Sequence, residues 1–269
     1  MKISVYVPCY NSERTIEECI QSLKNQSLKP NEIIVINDCS IDNTTKKVKK
    51  FKVRILNHKE NKGLAEARNT GIKNAKNELV AAIDSDCIAE KDWLKNLANS
   101  LNKKIVGVGG KLIEKEKTNA DKWRVKHMRQ HWGNKNIINP EYVAGNNTLF
   151  KKSIIKKINY YNKKYKTNYE DVDLCKRLRK QKYEYIYQPK AKAKHLAEDN
   201  TKSVLDRHWK HMFWDYPTPN TFSKKILKLI INFYTMLKFL LSDIFTRTEF
   251  IQIDMNLFFH HTKKDLKYK

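Results

Sequence analysis

Carboxylates occur where apolar segments of this 269-residue sequence end. The segment NDCSIDNT follows Ile36, and DSDC follows Ile83. Either group could separately cap a helix, because Asp and Ser are favoured at helix N-termini. If the loops converge, Asp84 and Asp86 could instead hold Mg²⁺ or Mn²⁺ through hard oxygen ligands. Alternation along an extended segment would place these two side chains on the same side.

The first 110 residues alternate between short apolar runs and helical patterns. Predicted strands cover 3–7, 32–36, 53–56, 79–83 and 105–108, and predicted helices cover roughly 13–25, 42–50, 64–76 and 91–101. This order is typical of βαβ units, which form a mostly parallel α/β sheet with helices on both faces. Ligands bind beyond the carboxyl ends of such strands, so the loop after Val7 should form one wall of a ligand site.

The net charge is +25 at pH 7. Such an excess attracts polyanions, whether nucleic acid, an anionic membrane or a phosphorylated substrate, although a merely solvated basic surface is an equally simple interpretation. GVGGKLIE (107–114) does not fit G-x-G-x-x-G, and the sequence contains no P-loop signature. A dinucleotide-dependent dehydrogenase and a P-loop enzyme are therefore disfavoured. A bound nucleotide diphosphate would have to be neutralised by a carboxylate pair and a divalent cation.

The cysteine pattern and the apolar runs indicate a cytoplasmic location. The five cysteines are scattered and form no CxxC pair, so neither a disulfide framework nor a zinc site is expected. The opening MKISVYVPCYNSER reads as a first strand rather than a signal peptide. No apolar stretch approaches the roughly 20 residues that span a bilayer.

Six motifs, taken in order, resemble the family 2 glycosyltransferases of the GT-A fold over about residues 1–195. They are VPCYN (7–11), INDCSIDNT (36–44), NKGLAEARNTGI (61–72), IDSDC (83–87), AGNNTLFKK (144–152) and YEDVDLCKRLRKQKYEYIYQP (169–189). Members of this family transfer a sugar from a nucleotide diphosphate and invert its anomeric carbon. The resemblance therefore implies a GT-A fold, an inverting transfer and a nucleotide-sugar donor, which we expect to be UDP-linked.

The resemblance implies a donor side formed by Pro8, Tyr10, Asn11, Asp38, Arg68 and Asp84. Asp38 matches the second acid of the usual DDGS, which accepts a hydrogen bond from the base of the nucleotide. The sequence departs from that pattern at Asn37 and Cys39, which replace the first acid and the glycine. Helix capping by Asp38 and a plain surface role for Arg68 are the alternatives.

The metal is assigned to the D-x-D motif, again by resemblance. In the family the first Asp, here Asp84, faces the ribose, and the second, here Asp86, binds Mn²⁺ or Mg²⁺. A surface turn is the alternative for this motif. His195 lies where several members have a metal-binding histidine, but a buried structural histidine is the more frequent role of a lone His.

The acceptor side is implied by the last two motifs. Asp171 matches the general base, with Glu170 beside it, at the start of an amphipathic helix whose dipole favours acids. Acids in a first helical turn are also ordinary. A loop containing Gly145, Asn146 and Asn147 would shape the acceptor site, or could be no more than a hairpin turn.

Two segments depart from a minimal core of this family. Residues 112–140 resemble a variable excursion, in which Trp123, His127 and Trp132 could stack on a sugar or simply pack the loop. Past residue 200, the segment 224–245 has apolar residues at helical spacing beside several lysines, which is typical of a helix lying on a membrane surface. Packing against the catalytic domain is the alternative. Pro217 and Pro219 are predicted to form a hinge before it.

The sequence therefore predicts a catalytic domain over 1–200, with a donor half (1–110) and an acceptor half (111–200), followed by a helical extension over 201–269. The expected acceptor is a glycan or a lipid-linked hydroxyl in cell-envelope polysaccharide synthesis, and the expected place is the inner face of a membrane with an anionic surface. A nucleic-acid-binding protein is the alternative suggested by the charge, and it would show steep salt dependence. It gives no reason for the acids at the strand ends, so no nucleic acid is expected. A non-catalytic sugar- or lipid-binding member of the fold is the remaining alternative.

Overall fold

The structure is a computed structural model that describes residues 1–128, 131–165, 168–216 and 219–268. The chain divides into a first unit, Met1–Glu114 with Gln130–Leu196, and a second unit, Lys115–Arg129 with Ala197–Lys269. The helices are α1 (Ile16–Lys24), α2 (Thr44–Lys49), α3 (Leu64–Asn74), α4 (Trp93–Asn99), α5 (Asn119–His127), α6 (Lys152–Lys157), α7 (Glu170–Lys180), α8 (Thr201–Asp215), α9 (Phe222–Asp243) and α10 (Ile251–Lys267).

The first unit is built on one sheet. Its strands, within the described residues, are β1 (Ile3–Cys9), β2 (Glu32–Asn37), β3 (Arg54–Asn57), β4 (Leu79–Ile83), β5 (Cys87–Ala89), β6 (Ile105–Glu114), β7 (Ile137–Ile138), β8 (Asn147–Lys151) and β9 (Glu184–His195). The order is β3-β2-β1-β4-β8-β6-β9-β5, with β7 also pairing with β9. Strands β5, β7 and β8 run against the other strands. The predicted mostly parallel sheet is thereby confirmed.

Helices cover both faces of this sheet, as predicted. Along β1, Val5 and Val7 pack with Ile20 of α1, whereas Tyr6 packs on the opposite face with Ile72 of α3. The two faces alternate because successive side chains of a strand point in opposite directions. The apolar run of β1 therefore serves two separate cores.

A crevice opens where β1 and β4 separate. Strand β1 pairs with β4 only as far as Tyr6 and Ala82, but it pairs with β2 as far as Cys9. Pro8, which has no N–H to donate, occupies the part of β1 that is paired on one side only. Strand β1 thus continues two residues beyond the predicted end at Val7. In the strand order, β2 and β3 lie on one side of β1 and β4 lies on the other, which makes this point the topological switch where α/β proteins bind ligands.

The second unit includes a segment that the sequence analysis assigned to the catalytic domain. Helix α5 belongs here because Trp123 packs in a core with Val204, Leu205 and Phe250. Arg124 pairs with Asp199, which lies just before α8. The boundaries predicted for 111–200 and 201–269 are therefore wrong for residues 115–128, and the reason is this long-range packing.

Helix α9 confirms the predicted helix in the C-terminal segment and begins at Phe222. Among the described residues, no helix combines the length and apolar character that a membrane span requires. Of the two prolines predicted to form a hinge, Pro217 lies outside the described residues, and Pro219 lies just before α9.

Candidate active site

The loops that follow β1, β2 and β4 are joined by hydrogen bonds. The backbone N–H of Asn11 donates to Ser40 Oγ at 2.9 Å, and Asn11 Oδ1 accepts from the N–H of Ile41 at 3.0 Å. Ser12 Oγ lies 2.7 Å from Ser85 Oγ, inside the DSD motif. The structure therefore brings the three predicted loops to one edge of the sheet, with the side chain of Tyr10 exposed beside them.

Asp38 holds a neighbouring loop. Its Oδ1 accepts from the N–H of Lys62 at 2.9 Å and contacts His58 Nδ1 at 2.6 Å, and its Oδ2 accepts from the N–H of Gly63 at 2.8 Å. Helix capping does not describe this arrangement, because the helix that follows Asp38 is α2, whereas Lys62 and Gly63 lie just before α3. One lone pair of Oδ2 remains for a ligand, since a carboxylate has about four acceptor sites.

The two departures from the family pattern have local explanations. The side-chain amide of Asn37 donates to Thr45 Oγ1 at 3.0 Å and to Asn57 Oδ1 at 2.9 Å, which an aspartate in this place could not do. Cys39 has a φ of 65°, in the left-handed region that glycine adopts most readily. The glycine of the family pattern is thus replaced, but its backbone conformation is kept.

The DSD motif forms a turn between β4 and β5, so the predicted extended segment is wrong. The N–H of Cys87 donates to the carbonyl of Asp84 at 3.0 Å, which closes the turn. Asp84 and Asp86 therefore reach different partners, Arg68 and His195. The motif is not an ordinary surface turn, because Ser85 is buried and Asp84 is largely covered.

His195 lies between two carboxylates at the end of three paired strands. Strand β9 places it opposite both Cys87 of β5 and Glu114 of β6. His195 Nε2 is 3.3 Å from Asp86 Oδ2, and Nδ1 is 2.8 Å from Glu114 Oε2. Burial by itself would lower the pKa of His195, but the ion pairs with Asp86 and Glu114 outweigh it and raise the pKa to about 10.

This arrangement fits a divalent cation. Ligands of an octahedral cation lie about 2.1 Å from the ion and about 3 Å from each other, close to the 3.3 Å between Asp86 Oδ2 and His195 Nε2. Glu114 would orient the ring from behind, as carboxylates do for metal-binding histidines. The Cys87 thiol, also close by, is a poor ligand because burial raises its pKa well above the ordinary value.

Arg68 is buried beneath the crevice, so the surface alternative is wrong. Its guanidinium donates to the carbonyl of Gly145 at 2.5 Å, and it lies 3.0 Å from Asp84 Oδ1 and 3.4 Å from Glu170 Oε1. A Cβ on Gly145 would lie 3.1 Å from Arg68 Cζ, so a larger residue there would have to displace the guanidinium by a few tenths of an ångström. Arg68 thus connects the donor loops with the acceptor loop.

Asp171 and Glu170 have different surroundings at the start of α7. The Asp171 carboxylate accepts from the N–H of Gly145 at 2.9 Å and from that of Val172 at 2.8 Å. Glu170 is buried, and its Oε2 has no hydrogen bond within the described part of the chain. Burial, together with the Asp171 charge, raises the pKa of Glu170 to about 8 despite Arg68.

Asn146 and Asn147 of the predicted acceptor loop also have different surroundings. Asn146 is half-buried, and its Oδ1 makes no hydrogen bond to any described residue. Asn147 is completely buried, where its Oδ1 accepts from Trp93 Nε1 at 2.7 Å and its Nδ2 donates to the carbonyl of Lys111 at 3.1 Å. The Asn147 side chain therefore anchors β8 instead of facing the crevice.

The aromatic residues of the 112–140 segment pack within the protein. Trp123 lies in the core of the second unit and donates to Asp254 at 2.7 Å. His127 packs against Phe239 with 4.1 Å between ring centroids. In the first unit, Trp132 donates to the carbonyl of Tyr142 at 2.7 Å.

Two residues of the site were not found by sequence reasoning. His58 bridges Asp38 and Thr70, and Glu114 orients His195. Glu114 ends β6 and His195 ends β9, so polar residues closing two adjacent strands were the available signal. His58 follows β3 in the same way.

The chain belongs to glycosyl transferase family 2, whose family model matches residues 4–184. It is 29% identical over 203 residues to the poly-beta-1,6-N-acetyl-D-glucosamine synthase of Staphylococcus epidermidis, a match that covers 70% of this chain and 48% of that protein. The family predicted from the six motifs is thus confirmed. The chain spans less than half the length of the curated relatives it matches. It covers 48% of that synthase and 14% of glycosyltransferase GlyA of Streptococcus pneumoniae.

Solved structures with the same fold support this placement. The mannosyltransferase PcManGT from Pyrobaculum calidifontis, in complex with GDP-Man and Mn²⁺, has a TM-score of 0.68 at 14% identity, over 99% of this chain and 87% of that one. S. aureus TarS 1–349 in complex with UDP has a TM-score of 0.59 at 21% identity, over 93% of this chain and 74% of that one. At these identities the similarity concerns the fold, and the GT-A prediction is confirmed.

Proposed function

We propose that this chain transfers a sugar from a nucleotide-diphosphate sugar to a hydroxyl of a glycan or lipid-linked acceptor, with inversion at the anomeric carbon. The observation that carries the proposal is the set of charged groups around Asp84. Arg68 lies 3.0 Å from Asp84 and donates to the carbonyl of Gly145, whose N–H donates to Asp171, while Asp86 of the same turn lies 3.3 Å from His195. The residues proposed to bind the metal, the donor and the acceptor therefore lie around one crevice.

A UDP-linked sugar is the proposed donor. Asp38 keeps one acceptor position, which suits the imide N–H of uracil, and Asp84 is proposed to face the ribose. Pro8, Tyr10 and Asn11 form the wall on the β1 side. TarS was solved with UDP, and PcManGT was solved with GDP-Man, so related folds accept either base.

Mn²⁺ or Mg²⁺ is the proposed cofactor, held by Asp86 and His195. A divalent cation bound there would neutralise the departing nucleotide diphosphate. Glu114 holds the His195 ring in place, and Arg68 fixes Asp84 on the opposite side of the turn. These contacts preorganise the site before any ligand binds.

Asp171 is the proposed general base. Two backbone N–H groups fix its carboxylate, which then has acceptor capacity left for the proton of the attacking hydroxyl. Glu170 positions Arg68, while Gly145 and Asn146 border the acceptor side. An inverting displacement needs one base opposite the leaving group, and no covalent nucleophile.

The acceptor is proposed to belong to cell-envelope polysaccharide synthesis at the inner face of the membrane. The support is the name of the S. epidermidis relative, a polysaccharide synthase. Nucleic-acid binding, the alternative raised by the net charge, gives no role to the acidic crevice.

A thermal-stability screen tests the proposal. A nucleotide sugar that binds only the folded chain raises its apparent stability, by about 2.7 kcal/mol at a hundred times the Kd. We expect a UDP-sugar to do so in Mn²⁺ or Mg²⁺ and not in a chelator, and the stabilised compounds would then be tested for transfer. Asp92→Ala is the control variant and should be stabilised like the parent, because the exposed Asp92 side chain hydrogen-bonds only to Ser27 among the described residues. A screen in which no nucleotide sugar stabilises the chain would contradict the proposal.

A further inference from the structure

Helix α9 has a burial pattern opposite to that of an ordinary surface helix. Its buried side chains are polar, and they are Lys228, Asn232, Thr235 and Asp243. Its large apolar side chains are exposed instead, among them Ile230 (59%), Leu241 (62%) and, just past its end, Phe245 (90%). A surface helix normally turns its apolar stripe toward the core.

The polar side of α9 is held in place inside the second unit. Asn232 Nδ2 donates to Asp265 Oδ2 of α10 at 2.9 Å. Asp243 accepts from Lys126 and contacts His127 Nε2 at 2.7 Å. Turning the helix about its axis would bury the apolar stripe, but it would take Asn232 and Asp243 away from Asp265 and His127, which would then stay buried without these hydrogen bonds. The apolar stripe therefore faces outward because the polar side is occupied.

The exposed apolar stripe continues onto α10. Phe233 of α9 is in ring contact with Phe258, at 5.8 Å between centroids, and Phe258 is in contact with Phe259 at 5.4 Å. Phe259 is 67% exposed. We call this surface the outer apolar face, and its exposed members include Ile230, Phe233, Leu237, Leu241, Phe245 and Phe259. An apolar surface of this extent on a folded protein marks an interaction site.

The exposed charges of the segment 222–268, which carries the outer apolar face, have one dominant sign. Three of the acids between 222 and 268, Asp243, Asp254 and Asp265, are buried. Exposed cations of the same segment are Lys238, Arg247, Lys263 and Lys267. Apolar and cationic groups thus face outward while three of the four acids in this segment face inward, and the fourth, the exposed Glu249, lies 3.3 Å from Arg247.

We propose that the outer apolar face binds an anionic lipid surface, with α9 and α10 lying in the plane of the headgroups. Apolar side chains at the acyl boundary, combined with cations at the level of anionic headgroups, are the combination that interfacial helices use. The inference concerns the second unit alone, and it holds or fails independently of glycosyl transfer.

Vesicle sedimentation of the full chain tests this inference. The parent should bind vesicles of phosphatidylcholine with phosphatidylglycerol, and it should bind pure phosphatidylcholine more weakly. The triple variant Ile230→Ser, Leu241→Ser and Phe245→Ser should bind the anionic vesicles at least roughly tenfold more weakly, because apolar area leaves the acyl boundary. These side chains are mostly exposed, so the variant should keep the parent's unfolding midpoint in urea. Ile41→Ser with Ile138→Ser, two exposed isoleucines of the first unit, is the matched control and should bind like the parent.

Two results would overturn the inference. One is equal vesicle binding by the parent and the triple variant. The other is a parent that forms a dimer in analytical ultracentrifugation and ignores vesicles, with the triple variant monomeric, since a second copy would then cover the face. Neither measurement requires a donor, a metal or turnover, so failure here leaves the proposed transfer untouched.

Discussion

Arg68 in the first unit and Arg124 in the second are both almost completely buried, and each lies between two carboxylates. Around Arg124 the acids are closed off from solvent and satisfied. Asp121 accepts from the N–H groups of Asp199 at 2.7 Å and Thr118 at 3.0 Å, and Asp199 accepts from Ser203 at 2.7 Å. This cluster fastens α5 to the segment before α8.

Around Arg68 the acids keep some acceptor capacity. The side chain of Asp84 is 22% exposed, and that of the neighbouring Asp86 is 39% exposed. Glu170 has one oxygen without a hydrogen bond among the described residues. A buried ion cluster therefore indicates a site only when some of its acceptors remain available, because unsatisfied buried groups are rare unless they serve a ligand.

The two units also differ in backbone conformation. Left-handed φ values at non-glycine residues occur only in the first unit within the described chain, and those at Asn11, Cys39 and Tyr169 border the crevice. Such conformations persist where the surrounding structure enforces them, typically at functional sites. The second unit has no such backbone conformation among its described residues.

The largest effect should come from Asp171→Asn. Asn keeps the size of the side chain but cannot take the acceptor proton, so transfer should fall by about 10²–10⁴-fold. Donor affinity, measured by calorimetry with the identified nucleotide sugar, should stay near that of the parent. Glu170→Gln is the control and should cost less, because the raised pKa already lets Glu170 carry a proton near neutral pH. Transfer by Asp171→Asn close to that of the parent would remove Asp171 from the base position.

Replacing each arginine with methionine should separate stability from binding. Arg124→Met leaves Asp121 and Asp199 buried without a counter-charge, so the free energy of unfolding in urea should fall by about 3–5 kcal/mol. Arg68→Met should cost less stability, because Glu170 can take up a proton and Asp84 can be hydrated. It should instead weaken nucleotide binding. If the two variants lose equal stability and Arg68→Met binds nucleotide normally, the two clusters do not differ as described.

The histidines of the two units should respond to pH in opposite ways. Burial lowers the pKa of His208 to about 3, below the unfolded value near 6.5. The stability that neutral His208 contributes is therefore complete above about pH 6.5 and is lost as the pH falls toward about 3. For His195, whose pKa is raised to about 10, the contribution is complete below about pH 6.5 and is lost as the pH rises through about 10.

Urea unfolding near pH 7 and pH 5 checks this difference. The parent should lose about 1–2 kcal/mol between the two values through His208. His208→Gln cannot titrate at this position, so its free energy of unfolding should fall by less than that of the parent. His261, whose Nε2 lies 2.9 Å from His208 Nδ1 in the parent, is still present in the variant. Equal losses for parent and variant would show that His208 is already protonated, or accessible, in the folded chain.

The smallest effect should come from Cys39→Gly. Relief of the left-handed conformation exceeds the entropy lost by glycine, so stability should rise by about 0.5–1 kcal/mol. Cys39→Ala removes the thiol but keeps the strain, and it should not stabilise the chain. A melting temperature for Cys39→Gly below that of Cys39→Ala would show that no strain is stored at this position.

Much of the site could be predicted because its residues follow strand ends. The apolar runs before Asp38 and Asp84 fixed where the strands stop, and parallel packing then brought those ends to one edge. The partners of Asp84 and Asp86 in the DSD turn could not be predicted, because Arg68 and His195 lie far away in the sequence. Glu114 was missed for the same reason, since it meets His195 only through the register of β6 and β9.

The second unit was harder to predict because the buried side of α9 is polar and its exposed side is apolar. The periodicity of α9 correctly indicated a two-faced helix, but it could not show which face is buried. That choice depends on Asp265 and on Lys126 with His127, which lie on other helices. The same long-range contacts group residues 115–128 with the second unit.

The most direct test compares the two clusters that could hold a cation. Asp86 and His195 form the open cluster, whereas His127, Asp243 and Asp254 form a buried one in the second unit. In the buried cluster Lys126 and His127 already engage Asp243, and Trp123 donates to Asp254. The measurement is calorimetry of UDP binding with and without Mn²⁺ for the parent, Asp86→Ala and Asp254→Asn. We predict Mn²⁺-dependent UDP binding that Asp86→Ala abolishes and Asp254→Asn preserves, and unchanged Mn²⁺-dependent binding in Asp86→Ala would contradict the account.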